Sequence, residues 1–111
     1  MNKKLLALGR LKVGELNPTE AAYELCLKAR MQAGEVAWYK FEGVKLRLAD
    51  NTFYSPDFAV MLFDGSMEMH EVKGFWRDDA RAKIKIAANI YPFRFIAVTK
   101  ARGGGWNVEE F

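Results

Sequence analysis

The chain has 111 residues, which is enough for one domain with a single hydrophobic core. Half of the residues are hydrophobic and 14% are aromatic, so the composition predicts a folded protein rather than a disordered one. The net charge of +3 suits a polyanionic partner such as DNA. A single cysteine, Cys26, excludes an internal disulfide. No signal peptide or membrane span is recognisable, and we therefore expect a cytoplasmic protein.

Residues 1–16 mix basic residues and leucines without a clean period. We interpret them as an N-terminal arm, followed by one domain over residues 17–111. The basic residues of the arm suit contacts with DNA phosphates, although a solvated arm fits the pattern equally well.

A strong helix start stands at residues 17–20, with Asn17 as N-cap, Pro18 at N1 and Glu20 at N3. We expect this helix to run to about Ala33 and to end at Gly34. Helical spacing predicts a core-facing stripe made of Ala22, Leu25, Cys26 and Ala29.

Glu20 has two interpretations. Its spacing from Asn17 favours a capping box, in which the carboxylate accepts a hydrogen bond from the Asn17 amide. Alternatively, Glu20 is a third acid of an active site, reaching it from the first helix. Glu24, one turn further along, is the substitute candidate for that role.

Three strands are predicted next, over Glu35–Phe41, Val44–Leu48 and Thr52–Phe63, before a fourth over residues 67–73. Pro56 cannot donate to a ladder, so it implies an edge position, a bulge or a missing bond. In the third strand, Phe58, Val60 and Leu62 should face one way.

The chemistry is concentrated in the stretch YSPDFAVMLFDGSMEMHEVK, residues 54–73. Asp57 and Glu71 supply the hard oxygen ligands that Mg²⁺ takes. Lys73 lies two residues after Glu71, so both side chains leave the same face of the strand. Asp57 shares this face only if the hairpin loop is odd in length or a bulge shifts the register.

A second helix is predicted from Asp78 or Asp79 to about Tyr91, followed by a strand over residues 93–99 that pairs in parallel with strand 67–73. Arg77, Arg81 and Lys85 recur every four residues along one face of this helix, and Lys83 lies nearby in the sequence. These basic residues suit either solvent or a DNA phosphate backbone. His70, on the face opposite the acids, is expected to be packed or hydrogen-bonded rather than a metal ligand.

Asp57, Glu71 and Lys73 resemble the signature of the PD-(D/E)XK nuclease superfamily. The stretches NPTEAAYE, YSPDFAV, HEVKGFWRDDARAKIKIAA and YPFRFIAVT are similar to those of small phage-encoded nuclease-like proteins. The resemblance implies an α/β fold with a restriction-endonuclease-like core, in the order α-β-β-β-α-β with a mixed central sheet, and a homodimer.

The resemblance also implies roles for the site residues. Asp57 and Glu71 would bind Mg²⁺, for which Mn²⁺ substitutes, with the Val72 carbonyl as a further ligand. Lys73 would position the attacking water. Because members of the superfamily commonly carry a glutamate on the first helix, Glu20 is expected to hold a second metal or its hydration shell.

The predicted function is therefore a metal-dependent DNA endonuclease of phage recombination or replication, acting in the host cytoplasm. Little of the chain remains for reading bases, while Phe75 and Trp76 could stack on an unpaired base, so we expect selectivity for DNA structure rather than sequence. The alternative is a non-catalytic DNA-binding or assembly subunit that retains the fold.

Overall fold

A computed structural model describes residues 14–74 and 78–111. The predictions made for most of the N-terminal arm, and for Phe75, Trp76 and Arg77, lie outside the described residues.

The described chain is an α/β fold with a mixed five-stranded sheet. Its strands lie in the order β1-β4-β5-β6-β7, and β2 and β3 form a separate two-stranded sheet. The β5–β6 pair is parallel, as predicted, and the other pairs are antiparallel. The elements in chain order are α1 (Pro18–Gln32), β1 (Val36–Phe41), β2 (Leu46–Ala49), β3 (Thr52–Tyr54), β4 (Phe58–Leu62), β5 (Met67–Val72), α2 (Asp78–Ile90), β6 (Arg94–Lys100) and β7 (Trp106–Glu110).

Helix α1 begins where the sequence predicts and packs through different residues. The capping box is present, because the Asn17 side chain accepts from the Glu20 amide and the Glu20 carboxylate accepts from the Asn17 amide. The predicted stripe is wrong at Leu25, which is 67% exposed, and at Ala29, which is also exposed. The helix instead buries Tyr23 and Leu27, one turn apart. Tyrosine can be buried here because its hydroxyl finds a partner in the core.

The two faces of the large sheet carry separate hydrophobic clusters. On the α1 face, Tyr23 and Leu27 pack with Phe58 and Val60. On the α2 face, Ile84 and Ala87 of the second helix pack with Ala59, Met69 and Phe95. This division confirms the alternation predicted for β4. Neither described helix combines the length and the apolar character that a membrane crossing requires.

The predicted strand over residues 52–63 is in fact two strands in different sheets. β3 ends at Tyr54 and β4 begins at Phe58, with Pro56 buried between them. Proline lacks the N–H that a continuous ladder would need, so the chain turns here. The strands predicted on either side of Gly43 are also separated, since β1 pairs with β4 while β2 pairs with β3.

The C-terminal residues form a strand that the sequence pattern did not predict. β7 pairs antiparallel with β6 and closes one edge of the sheet. Three consecutive glycines, 103–105, all with positive φ, make the turn between the two strands. Such φ values are readily accessible to glycine alone, which explains the run.

Candidate active site

The turn between β4 and β5 sets which residues share a face of the sheet. Phe58 pairs with His70 and Met61 with Met67, so the loop comprises residues 63–65 and is odd in length. The Leu62 amide donates to the Ser66 carbonyl at 2.9 Å, and Gly65 adopts a positive φ inside the turn. One step beyond the Phe58 pair, the register sets Asp57 opposite Glu71. The odd loop that the site required is therefore confirmed, and it lies one residue earlier than the predicted loop over residues 64–66, which would have set Asp57 opposite Lys73.

Glu71 is the centre of the group of side chains at this end of the hairpin. Its Oε1 accepts a 2.6 Å hydrogen bond from the Tyr54 hydroxyl, and its Oε2 lies 3.1 Å from the Lys73 ammonium. Glu71 and Tyr54 are both buried, whereas Lys73 is partly exposed. The carboxylate is thus held by one donor on each oxygen, and the lysine connects it to the surface.

Asp57 approaches Glu71 from β4. Its Oδ2 accepts a 2.8 Å hydrogen bond from the Val72 amide, and its carbonyl accepts from the Glu42 amide at 2.7 Å. Burial, and then the neighbouring negative charge of Glu71, raise the pKa of Asp57 to about 8. Asp57 is therefore the acid that retains a proton near neutral pH.

Two carboxylates facing each other fit a divalent cation. The repulsion that raises the pKa of Asp57 is the interaction that a cation between the acids would relieve. Among the described residues, no group of three or more His, Cys, Asp or Glu side chains is arranged to hold a metal ion. Mg²⁺ is commonly held by one or two carboxylates, with waters and substrate phosphates completing the octahedron, so the pair suits this ion.

Glu20 serves the capping box and also lies within electrostatic reach of the acids. Its Oε1 accepts from the Asn17 amide at 2.9 Å, and its charge contributes to the raised pKa of Asp57. The two interpretations of Glu20 are thus compatible, because one carboxylate oxygen suffices for the cap. Glu24 instead accepts a hydrogen bond from the Tyr39 hydroxyl at 2.8 Å.

The basic residues of α2 contact different neighbours. Arg81 forms an ion pair with Glu109 of β7 and lies 5.7 Å from the centre of the Phe111 ring. Lys83 donates to the carbonyl of Phe53 in β3 at 3.2 Å. Arg81, from the predicted row, thus lies toward β7, whereas Lys83, outside that row, lies toward the β2–β3 hairpin.

An open depression of about 460 Å³ lies between α2 and β7. Arg81, Lys85 and Asn89 line it from the helix, and Glu109, Glu110 and Phe111 from the C-terminal residues. The sheet register connects this depression to the acids, since Glu71 pairs with Ala97 and Ala97 with Glu109 on one face. Two strand spacings, about 10 Å, thus separate the Glu71 and Glu109 main chains.

The opposite face of the sheet carries a buried polar chain. His70, fully buried, contacts the Tyr23 hydroxyl through Nδ1 at 2.7 Å and Glu68 Oε1 through Nε2 at 2.9 Å. Glu68 also accepts from Arg94 at 3.0 Å. Burial lowers the pKa of His70, while its hydrogen bond to Glu68 lowers the pKa of that acid to about 2. A neutral His70 that donates to a charged Glu68 satisfies both, as expected for a packed histidine.

Sequence reasoning missed Tyr54. In one continuous strand, residues three apart face opposite sides, so Tyr54 and Asp57 could not both reach Glu71. The break at Pro56 removes that constraint, and proline next to Asp57 was the available signal.

No protein-family model, no curated protein and no solved structure matches this chain. The resemblance to PD-(D/E)XK nucleases therefore stays a prediction that depends on the quoted residues.

Proposed function

We propose that this protein is a metal-dependent DNA endonuclease whose active site contains Asp57, Glu71 and Lys73. The observation that carries the proposal is the convergence of the three residues at one end of the β4–β5 hairpin. The Lys73 ammonium lies 3.1 Å from Glu71, and Glu71 is close enough to raise the pKa of Asp57. Burying two facing acids is unfavourable for folding, which suggests that the arrangement is kept for function.

Asp57 and Glu71 would hold Mg²⁺ or Mn²⁺, and the Val72 carbonyl is the further ligand that the resemblance implies. The bound ion supplies Lewis-acid chemistry, lowering the pKa of water and offsetting charge on the phosphate. Lys73, partly exposed beside Glu71, orients the attacking water and offsets negative charge that grows on the phosphoryl oxygens. Water forms a new bond to phosphorus, the bond to the leaving nucleotide oxygen breaks, and that oxygen takes up a proton.

The DNA backbone is proposed to lie across α2. Lys83 and Lys85 are exposed, and Lys85 lines the depression that ends about two strand spacings from Glu71. Arg81 lines the same depression while bound to Glu109. Basic side chains at that distance suit phosphates that neighbour the one being cleaved. Arg77, just before α2 in the sequence, is proposed for the same role, and Glu20 for the hydration shell of a metal.

The test is cleavage of supercoiled plasmid in Mg²⁺ or Mn²⁺ by the wild type and by three variants. Asp57→Asn and Lys73→Ala should each lower the cleavage rate by at least about 100-fold. Asp50→Asn is the matched control, because Asp50 lies in the exposed β2–β3 turn and should retain wild-type activity. DNA binding by the wild type without cleavage in either metal would contradict the proposal and favour the non-catalytic DNA-binding subunit.

A further inference from the structure

The hydroxyl of Tyr54 occupies a position that the proposed active site does not yet explain. It donates a 2.6 Å hydrogen bond to Glu71 Oε1, on the side of the carboxylate not used by Lys73. Tyr54 is 9% exposed and belongs to the hydrophobic cluster on the α2 face, where Leu46 and Ile84 also lie. Its ring is thus fixed by packing, so the hydroxyl stays in one place.

The position of Tyr54 depends on the turn at Pro56. Tyr54 ends β3 in the small sheet, and Asp57 immediately precedes β4 in the large one. The turn between these two residues brings the Tyr54 hydroxyl and the Asp57 carboxylate to the same residue, Glu71. The β2–β3 hairpin, which lies against α2, thereby contributes a side chain to a site otherwise built from β4 and β5.

We propose that Tyr54 is a positioning residue for Glu71, acting on the carboxylate and through it on the bound metal. This inference rests on the proposed function. A carboxylate has about four lone-pair sites. Tyr54 and Lys73 use one on each oxygen, which fixes the plane of the carboxylate and leaves the remaining lone pairs for a cation shared with Asp57. Partners that orient a metal-binding carboxylate typically account for 10–100-fold in metal affinity or activity.

The experiment compares Mn²⁺ binding to the whole chain by titration calorimetry for the wild type, Tyr54→Phe and Tyr39→Phe. The first variant removes only the hydroxyl that contacts Glu71. The second is the matched control, since the Tyr39 hydroxyl also donates to a glutamate, Glu24, at 2.8 Å and packs on the other face of the sheet. We expect Tyr54→Phe to weaken Mn²⁺ binding about 10-fold and Tyr39→Phe to leave it unchanged.

A second measurement separates positioning from general destabilisation. In cleavage assays at saturating Mn²⁺, Tyr54→Phe should lower kcat while KM for DNA stays within about twofold, because the phenol contacts Glu71 and not the substrate. Mn²⁺ affinity equal to that of the wild type in Tyr54→Phe would overturn the role of Tyr54. If Tyr54→Phe binds Mn²⁺ as tightly as the wild type while Asp57→Asn does not, the proposed function stands without a role for Tyr54. Absence of Mn²⁺ binding by the wild type would instead overturn the proposed function itself.

Discussion

The register of the β4–β5 ladder, extended one residue beyond Phe58, sets Asp57 opposite Glu71, and the amide of Val72, the residue after Glu71, donates a 2.8 Å hydrogen bond to the Asp57 carboxylate. Two facing acids in a partly buried position repel each other, and each loses hydration on folding. The fold tolerates this pair because Lys73 and Tyr54 hold one member and a main-chain amide holds the other.

The first prediction is that Asp57→Asn stabilises the metal-free protein. The pKa of Asp57 is raised from 3.8 to about 8. Between these values the folded state binds the proton more tightly than the unfolded state, so the free energy of unfolding decreases as pH rises through that window. Asparagine keeps an oxygen for the Val72 amide and has no charge. We expect a gain on the order of 1–3 kcal/mol at pH 7, measured by urea denaturation without divalent cations.

The gain should become small at about pH 3, below both pKa values, where Asp57 is protonated in both states. Asp64→Asn is the control, because Asp64 is exposed and its hydrogen bonds to Ser66 lower the pKa of its carboxyl group. An Asp57→Asn variant that is less stable than the wild type at pH 7, or whose gain is independent of pH, would contradict a protonated acid at this position.

Local signals in the sequence were sufficient to predict the ends of α1 and the alternation along β4. Asn17, Pro18 and Glu20 define a cap whose hydrogen bonds form within four residues, so no distant contact is needed. Whether Asp57 shares a face with Glu71 likewise depends only on the loop length, and the odd loop that this requires is present.

Features that depend on distant contacts were not predictable in the same way. Leu25 is exposed, and helix α1 buries Tyr23 instead. The Tyr23 hydroxyl contacts His70, which lies far along the chain, so local spacing could not predict this burial. Arg81 has helical spacing from Lys85 but pairs with Glu109, on a strand that the pattern did not reveal. Tyr54 reaches Glu71 only because the chain changes sheets at Pro56.

The second prediction separates the two roles of Glu20. Glutamine can replace glutamate in a capping box, so Glu20→Gln should change the free energy of unfolding by less than about 0.5 kcal/mol. Removal of the negative charge near Asp57 should still lower the cleavage rate by about 10-fold or more if Glu20 acts on the metal or its hydration shell. Thermal melts and plasmid cleavage on the same preparations measure both effects.

Glu24→Gln provides the comparison, because Glu24 contacts Tyr39 rather than the acid pair. Full cleavage activity in Glu20→Gln would restrict Glu20 to the helix cap.

The third prediction concerns the buried chain on the α1 face. Glu68→Gln removes the charge that accepts from both His70 and Arg94, so it should destabilise the fold by about 2 kcal/mol at pH 7. The pKa of Glu68 is lowered from 4.5 to about 2, which means that this stabilisation is complete above pH 4.5 and is lost as pH falls toward 2.

Urea denaturation at about pH 7, 4.5 and 3 should show the difference between wild type and Glu68→Gln shrinking as the pH falls. Glu110→Gln is the matched control, since Glu110 also binds Arg94 but is exposed, and its loss should cost less than about 1 kcal/mol. If the difference in free energy of unfolding between wild type and Glu68→Gln instead grew as the pH fell, Glu68 could not be the charged acceptor described here.

The fourth prediction distinguishes chemistry from DNA binding. Lys73 contacts Glu71 at the proposed metal site, so Lys73→Ala should lower kcat while DNA affinity changes little. Lys83→Ala and Lys85→Ala should instead weaken binding, and each should reduce the slope of log affinity against log salt by about one if the lysine contacts a phosphate.

Fluorescence anisotropy over a salt series and single-turnover cleavage measure the two properties separately. Lys28→Ala serves as the control for surface charge, because Lys28 lies on α1, on the other side of the sheet from α2, in an exposed pair with Glu24. Equal losses of DNA affinity in Lys73→Ala and Lys83→Ala would argue against separate roles.

The last prediction is that the protein selects DNA by structure rather than by base sequence and acts as a homodimer. Both described helices pack an apolar face against the sheet, and the β2–β3 hairpin places Tyr54 at the acid pair. These elements therefore already have structural roles and leave little for reading bases. Lys45 lies 4.6 Å from the centre of the Phe53 ring, and such basic and aromatic groups bind phosphates and unpaired bases with little sequence code.

At fixed salt, four-way junctions, flaps or single strands should be cut faster than linear duplexes, and duplexes of different sequence should be cut at similar rates. Phe53→Ala should reduce the ratio of the cleavage rate on unpaired DNA to that on linear duplex. Phe63→Ala is the control, because Phe63 is an exposed aromatic residue in the β4–β5 turn. Cleavage confined to one short duplex sequence, with junctions left intact, would show that the protein reads bases through contacts that these side chains do not explain.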